Sequence, residues 1–410
     1  MADIDPAVLG ARAETMIKAL AAISAEPARL VRLFLTPQHR RAADLIAQWM
    51  REAGLAASED VLGTVRGRAG EGPRLLIGSH IDTVIDAGNY DGPLGVIVGI
   101  LAAAHFKGRP PVPLDVLAFG DEEGSRFPAT LTSSSACAGV FDTKALTAVD
   151  RQNVSLADAL KTYGKNPDDI AKAAYSPQDA LAYVEVHIEQ GPLLEAEREA
   201  LGVVTGIVGQ SRFRVTVTGE AGHAGTVPMT LRRDALAGAA AMILMVERVA
   251  KDFAAERTVA TVGRIEAMPG AINIIPATAS FTIDLRAMSD QARQAAMAAI
   301  RREARAIAEA RHLAVVFDPF HEEPAVACDA GLQERLAAAI RELGGRALRL
   351  PSGAGHDAQV MAHLCPAGMM FVRCRHGISH NPAEYCSPAD MGLAAAALIR
   401  FIEDYAARSK

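Results

Sequence analysis

The sequence predicts a two-domain α/β protein, in which a small βαββαβ unit interrupts a larger domain built on a helix-flanked, largely parallel sheet. Length is the first reason, since 410 residues exceed what one core ordinarily serves. The second is a strand–helix–strand rhythm between Arg74 and about Gly120. The third is a different rhythm between about Phe213 and Pro319, after which the first pattern returns.

In the first segment, Leu75-Leu76-Ile77 is a buried-strand candidate ending at Gly78-Ser79-His80. Pro93 to Phe106 reads as a helix and Leu114 to Phe119 as the next strand. In such sheets ligands lie beyond the carboxyl ends of the strands. Both strands end in polar residues there: His80 and Asp82 after one, Asp121 to Glu123 after the other. In the second segment, Phe213 to Thr218 alternates as a strand and Leu231 to Phe253 follows as a long helix. Val259 to Ile265 and Ala279 to Leu285 are two further strands, Asp290 to Arg311 an alanine-rich amphipathic helix, and Leu313 to Phe317 a last strand. That order is the ferredoxin-like unit, complete in itself. Met369 to Val372 and the helix Ala389 to Tyr405 resume the first pattern. The expected division is 1–211, an insertion at 212–328, and 329–410.

Composition excludes several classes. Half of the chain is apolar (50%) and 22% is charged, ordinary for a soluble enzyme, while aromatics make up only 5%. A formal charge of -6 and the lack of a Lys/Arg run exclude a nucleic-acid-coating protein. Arg301-Arg302 reads as the solvated face of a helix. Asp3, Asp5 and Arg12 stand where a signal peptide needs a basic start and an apolar run. The longest apolar stretch, Leu236 to Val246, is far short of the ~20 residues that cross a bilayer. Cys137, Cys328, Cys365, Cys374 and Cys386 are odd in number and form no C-x-x-C pair, so unpaired thiols in a reducing cytoplasm are expected.

Five segments carry chemistry. In Gly78-Ser79-His80-Ile81-Asp82-Thr83, Asp82 is placed to orient the His80 imidazole, as carboxylates do behind metal-ligating histidines. A lone histidine at a strand end is more often structural. Gly88-Asn89-Tyr90-Asp91-Gly92 puts an Asp at a helix start, where by itself it reads as an N-cap. In Gly120-Asp121-Glu122-Glu123-Gly124 three acidic residues follow a buried strand. They are a solvated turn unless something positive sits among them, and then two adjacent carboxylates can divide the work, one binding metal and one handling protons. Val186-His187-Ile188-Glu189-Gln190-Gly191-Pro192 and Gly377-Ile378-Ser379-His380-Asn381-Pro382 add one histidine each. Three histidines and two carboxylates suit a pair of borderline, zinc-like ions. Of 11 histidines, His39, His105, His312 and His363 receive no role, and His376 reads as local structure.

These segments, in this order and spacing, resemble the dinuclear-zinc aminoacylase/carboxypeptidase superfamily, and most closely its carbamoylase branch of N-carbamoyl-L-amino-acid hydrolases, β-ureidopropionases and allantoate amidohydrolases. The similarity runs from about Gly54 to Tyr405, with His187 in HIEQGP where peptidase members usually carry an acidic ligand. The resemblance implies a mixed-sheet, zinc-peptidase-like catalytic domain with an inserted lid and dimerisation domain. It implies two divalent ions bridged by Asp91, with His80 and His187 on one and Glu123 and His380 on the other. Zinc is expected, with manganese, cobalt and nickel also tolerated. It makes Glu122 the general base, Asp82 the orienter of His80, and His223 a donor to the oxyanion. Gln190, Gln210, Arg212, Asn273, Arg286, Gly355 and His356 fall in segments that match the family's substrate contacts, though Arg286 could instead serve an ordinary intramolecular salt bridge. One departure is Ala87-Gly88, where many relatives carry a Gly pair. The expected activity is hydrolysis of the carbamoyl C–N bond of a small ureido acid by a cytoplasmic homodimer paired through its lid domains. Allantoate amidohydrolase is the nearest alternative and a dipeptidase or aminoacylase a more distant one. A non-catalytic binder would have lost a ligand or Glu122, and all are present.

Overall fold

The computed structural model describes residues 4–408; Asp3, part of the signal-peptide reading, lies outside them. Two units emerge, one formed by the chain up to Thr205 and again from Cys328, the other by Gly206–Ala327.

The first unit is organised by a mixed sheet. Four strands at its centre run parallel, in the order Leu114–Phe119, Arg74–His80, Ala180–Ile188, Ala367–Val372. Their residues are almost all buried, as apolar strands covered on both faces should be. Beyond them the pairing turns antiparallel: Val65–Ala69 and then Ala56–Glu59 on one side, Leu201–Ile207 on the other. The parallel rhythm read from the sequence therefore holds only for the centre of the sheet. The helix Pro93–His105 is apolar all round, with every residue from Pro93 to Ala103 buried against the sheet and the terminal helix Pro388–Arg408. All five cysteines are free and buried. Among the described residues, no helix is long and apolar enough to cross a membrane.

The Gly206–Ala327 unit is an antiparallel sheet with two helices. Thr278–Ala287 and Gly209–Thr218 form its centre and Ala314–Glu323 one edge. Strict alternation of buried and less buried residues along Thr278–Ala287 turns one face to helices Ala235–Asp252 and Asp290–Ala310. Strand order and connections are those of the ferredoxin-like unit. The long helix starts at Ala235, later than Leu231, because the Asp234 carboxylate caps it by accepting the Ala237 N–H at 3.0 Å. The strand expected at Val259 to Ile265 is split into Val259–Thr261 and Ile265–Met268, both paired with Thr278–Ala287 around the interruption at Gly263. The last strand continues past Pro319 to Glu323, with a register shift between Pro319 and His321; an edge strand tolerates the missing N–H.

Candidate metal centre

The four parallel strands deliver their carboxyl ends to one edge of the sheet. His80 closes the first, Asp121 to Glu123 follow the second, His187 stands one residue from the end of the third, and Ser379, His380 and Glu384 lie in the loop after the fourth. Asp91 sits at the centre of what they build. Its Oδ1 is 3.1 Å from His187 Nε2 and 3.7 Å from His80 Nε2, and its Oδ2 is 3.1 Å from His380 Nε2. His380 Nε2 is also 3.6 Å from Glu123 Oε2. Two groups of converging ligand atoms result, His80–Asp91–His187 and Asp91–Glu123–His380, sharing Asp91. His80 also groups with Glu122 and Glu123.

The donor set fits divalent cations. His187 Nδ1 lies 2.9 Å from the Ile188 carbonyl oxygen, which keeps a hydrogen on Nδ1 and turns the Nε2 lone pair toward Asp91. That buried Nε2 has no hydrogen-bond partner. A lone pair and a carboxylate facing each other repel unless a cation lies between them, and imidazole with carboxylate suits borderline divalent ions. His80 is set the same way, its Nδ1 3.3 Å from Asp82 Oδ1 and its Nε2 toward Asp91.

The electrostatics are those of crowded anions. Burial pushes Glu122 well above the usual carboxylate range, with the Glu123, Asp357 and Asp82 charges adding and His80 opposing. Burial first, then Asp91, raises Glu123 to about 7. Asp91 is held well below its ordinary value: burial opposes this, but the His187 and His380 rings that face it and the charges of His187 and His80 outweigh it. The hydrogen bond to Asp91, then the Glu123 and Asp91 charges, raise His380 to about 9 against burial.

Local backbone explains the precision. Asp82 accepts the backbone N–H of Glu122 at 3.0 Å and of Glu123 at 3.2 Å, so the carboxylate beside His80 also fixes the acidic turn. Gly92 has φ +80, and a Cβ there would overlap the His80 ring; only glycine allows Asp91 to approach His80 so closely. Gln190 donates to Asp91 Oδ2 at 2.7 Å. A Cβ on Gly355 would stand 3.9 Å from Glu122 Oε1. His356 is only 1% exposed; its Nε2 lies 2.7 Å from Ser352 Oγ and its ring packs on His187 at 4.5 Å. It thus backs His187, with little surface to offer a substrate.

In the Gly206–Ala327 unit, Gln210, Arg212 and Arg286 converge on Asp284. Arg286 donates from Nε and Nη2 at 3.0 and 3.1 Å, Arg212 from Nε at 3.2 Å, and Gln210 from Nε2 at 3.1 Å. Arg286 therefore does form an intramolecular salt bridge, with Asp284. His223 and Asn273 are neighbours: Gly222–His223 pairs with Ile274–Ile275, and Ala224 N donates to Asn273 O at 3.0 Å. His223 Nδ1 accepts the Gly225 N–H at 3.0 Å, which leaves the hydrogen of a neutral ring on the exposed Nε2.

Sequence reading missed several residues behind the cluster. Glu185, fully buried in the strand Ala180–Ile188, accepts from Ser79, Tyr183 and the Ala358 N–H. A glutamate inside an apolar strand was the available signal. Asp121 accepts from the Ser133 backbone and hydroxyl, which ties the acidic turn to the helix Thr132–Ala138. Ser379 and Glu384 reach Asp91 from nearly 300 residues away, and no local pattern could reveal that.

The profile of peptidase family M20/M25/M40 matches residues 76–404, and the chain belongs to that family, in its carbamoylase branch. It is 40% identical to an allantoate deiminase of Arabidopsis thaliana, over 98% of this chain and 83% of that protein. It is also 40% identical to an N-carbamoyl-L-amino acid amidohydrolase of Geobacillus stearothermophilus, over 90% of this chain and 91% of that one. A hydantoinase/carbamoylase family amidase from Burkholderia multivorans has the same fold, with a TM-score of 0.89, 33% identity, and 97% and 98% of the two chains covered.

Proposed function

We propose that this protein is a two-metal amidohydrolase that removes the carbamoyl group of an N-carbamoyl amino acid, giving the amino acid, ammonia and carbon dioxide. The observation that carries the reading is the convergence of His80, Asp91, Glu123, His187 and His380 beside a second carboxylate, Glu122. His80, Asp91 and His187 would hold one ion and Asp91, Glu123 and His380 the other, zinc being the simplest choice and manganese, cobalt or nickel compatible. When bound, such ions polarise the ureido carbonyl and make water a stronger nucleophile at neutral pH.

The remaining steps belong to the chain. Glu122 takes a proton from the attacking water and returns it to the leaving nitrogen, a role suited to a carboxyl whose proton affinity burial raises. Asp82 orients His80 and the Glu122 turn. His223 donates from Nε2 to the developing oxyanion. Arg286, with Gln210, Arg212 and Asn273, binds the substrate carboxylate, and Asp284 holds the Arg286 guanidinium in a fixed plane. Gln190, Gly355 and His356 shape the pocket around the metal ligands. Arg286→Lys should raise KM roughly ten- to hundredfold with a smaller change in kcat, because an ammonium cannot reproduce two parallel hydrogen bonds. Equal hydrolysis of a substrate and its methyl ester would show that no carboxylate clamp operates.

A homodimer paired through the Gly206–Ala327 unit is part of this proposal. That unit exposes Leu244 (69%), Met268 (64%) and Ile272 (102%), apolar side chains that a paired copy would cover. A two-fold pairing would let His223 serve the partner's site. Mixing inactive His223→Ala and Glu122→Gln subunits should then restore activity in the mixed dimers; a dead mixture after proven subunit exchange rules out donation in trans. The cytoplasmic setting rests on five buried, free cysteines.

A second reading, allantoate amidohydrolase, is favoured by the 40% identity to an allantoate deiminase. Ammonia release over N-carbamoyl-L- and D-amino acids, β-ureidopropionate, allantoate and dipeptides separates the two. Turnover of dipeptides alone would overturn both.

A further inference from the structure

Beyond the ligands and the base, Glu384 is a buried acid beside Asp91 that has no part in the steps above. We infer that Glu384 is a positioning residue of the metal centre, a latch that joins the Tyr90–Asp91 backbone to the His380 loop; the inference rests on the two-metal reading. Glu384 is 5% exposed and uses both carboxylate oxygens. Oε1 accepts the backbone N–H groups of Tyr90 at 2.7 Å and Asp91 at 3.1 Å. Oε2 lies 3.0 Å from Ser379 Oγ, and that hydroxyl is 2.7 Å from Asp91 Oδ2. One side chain therefore fixes Asp91 from two directions, through its own backbone and through its Oδ2.

Two independent features show that the chain is built around this contact. A Cβ on Gly88 would overlap the Glu384 carboxyl group, so the glycine before Asp91 is the space in which the latch sits. The loop that carries Glu384 is itself closed, with Arg375 N donating to Tyr385 O at 2.8 Å and Glu384 N to Asn381 O at 3.0 Å. Within it His380 adopts φ 53, a left-handed conformation uncommon for a non-glycine residue. Ser379 and Glu384 flank this ligand in the sequence and both reach Asp91.

The test is metal affinity, measured by competition with a chromophoric chelator on the folded full chain, with circular dichroism as the check of folding. Glu384→Ala should bind zinc roughly 10- to 100-fold more weakly than the parent, the usual loss when a ligand's hydrogen-bonded support is removed. Glu384→Gln should stay close to the parent, because its amide oxygen still accepts both N–H groups and its NH2 donates to Ser379. Gly88→Ala, which touches no ligand, should reproduce the Glu384→Ala loss by displacing the carboxyl group. Unchanged zinc affinity in folded Glu384→Ala, even with a lower unfolding temperature, would reduce Glu384 to a structural residue and overturn the inference. So would a Gln variant as weak as the Ala variant. If Glu384→Ala does not fold, Gly88→Ala and Ser379→Ala decide by the same criterion. A parent that binds no zinc at all would refute the two-metal reading itself, a failure distinct from that of the latch.

Discussion

Glu122→Gln is expected to keep both metal ions and to lose ~10²–10⁴-fold in kcat, the usual contribution of a positioned general acid–base. The substitution preserves shape and hydrogen-bonding capacity but cannot carry a proton between water and leaving group. Its neighbour should behave differently. Glu123 Oε2 points at His380 Nε2, 3.6 Å away, and belongs to the Asp91–Glu123–His380 group, so Glu123→Ala should lose one ion. Adjacent residues can divide the work because Asp82 grips both of their backbone N–H groups and fixes the direction of each side chain. Metal analysis and steady-state kinetics on the two variants check this. A metal-depleted Glu122→Gln, or one nearly as active as the parent, would show that the roles are assigned wrongly.

The second large effect should follow metal removal. Asp82, Asp91, Glu122 and Glu123 are packed together with His80 and His187, and no Lys or Arg side chain forms an ion pair with these carboxylates among the described residues. Bound cations relieve mutual repulsion of this kind, so the ions should stabilise the fold as well as serve the reaction. Stripping with a chelator should abolish activity. It should also lower stability by about 3–4 kcal/mol relative to protein in metal at 100–1,000 times the dissociation constant. Unfolding curves with and without added zinc check this; coincident curves would mean that the cluster is stable without cations.

Much of this architecture was legible because it is written in local pattern. Apolar runs that end in His80 or in Asp121 to Glu123 read directly as parallel strands with a site at their ends, and the βαββαβ order is a matter of periodicity alone. What the sequence hid was long-range. No spacing reveals that Glu384 bonds the Tyr90 and Asp91 amides, or that Arg286, Arg212 and Gln210 share Asp284. Those contacts depend on strand register, such as Arg212 opposite Asp284, and register is set by pairing across the sheet. His356 shows the same limit from the other side. Its loop resembles a substrate-binding segment, yet tertiary packing turns the ring onto His187.

The most direct test is ammonia release from an N-carbamoyl-L-amino acid, followed as stripped protein is titrated with zinc. Activity should be absent at zero metal, rise with added ion and level off at two equivalents per chain, with one ammonia and one free amino acid formed per substrate consumed. Full activity in the metal-free protein, or no ammonia from any ureido acid at two equivalents, would contradict a two-metal carbamoyl hydrolase.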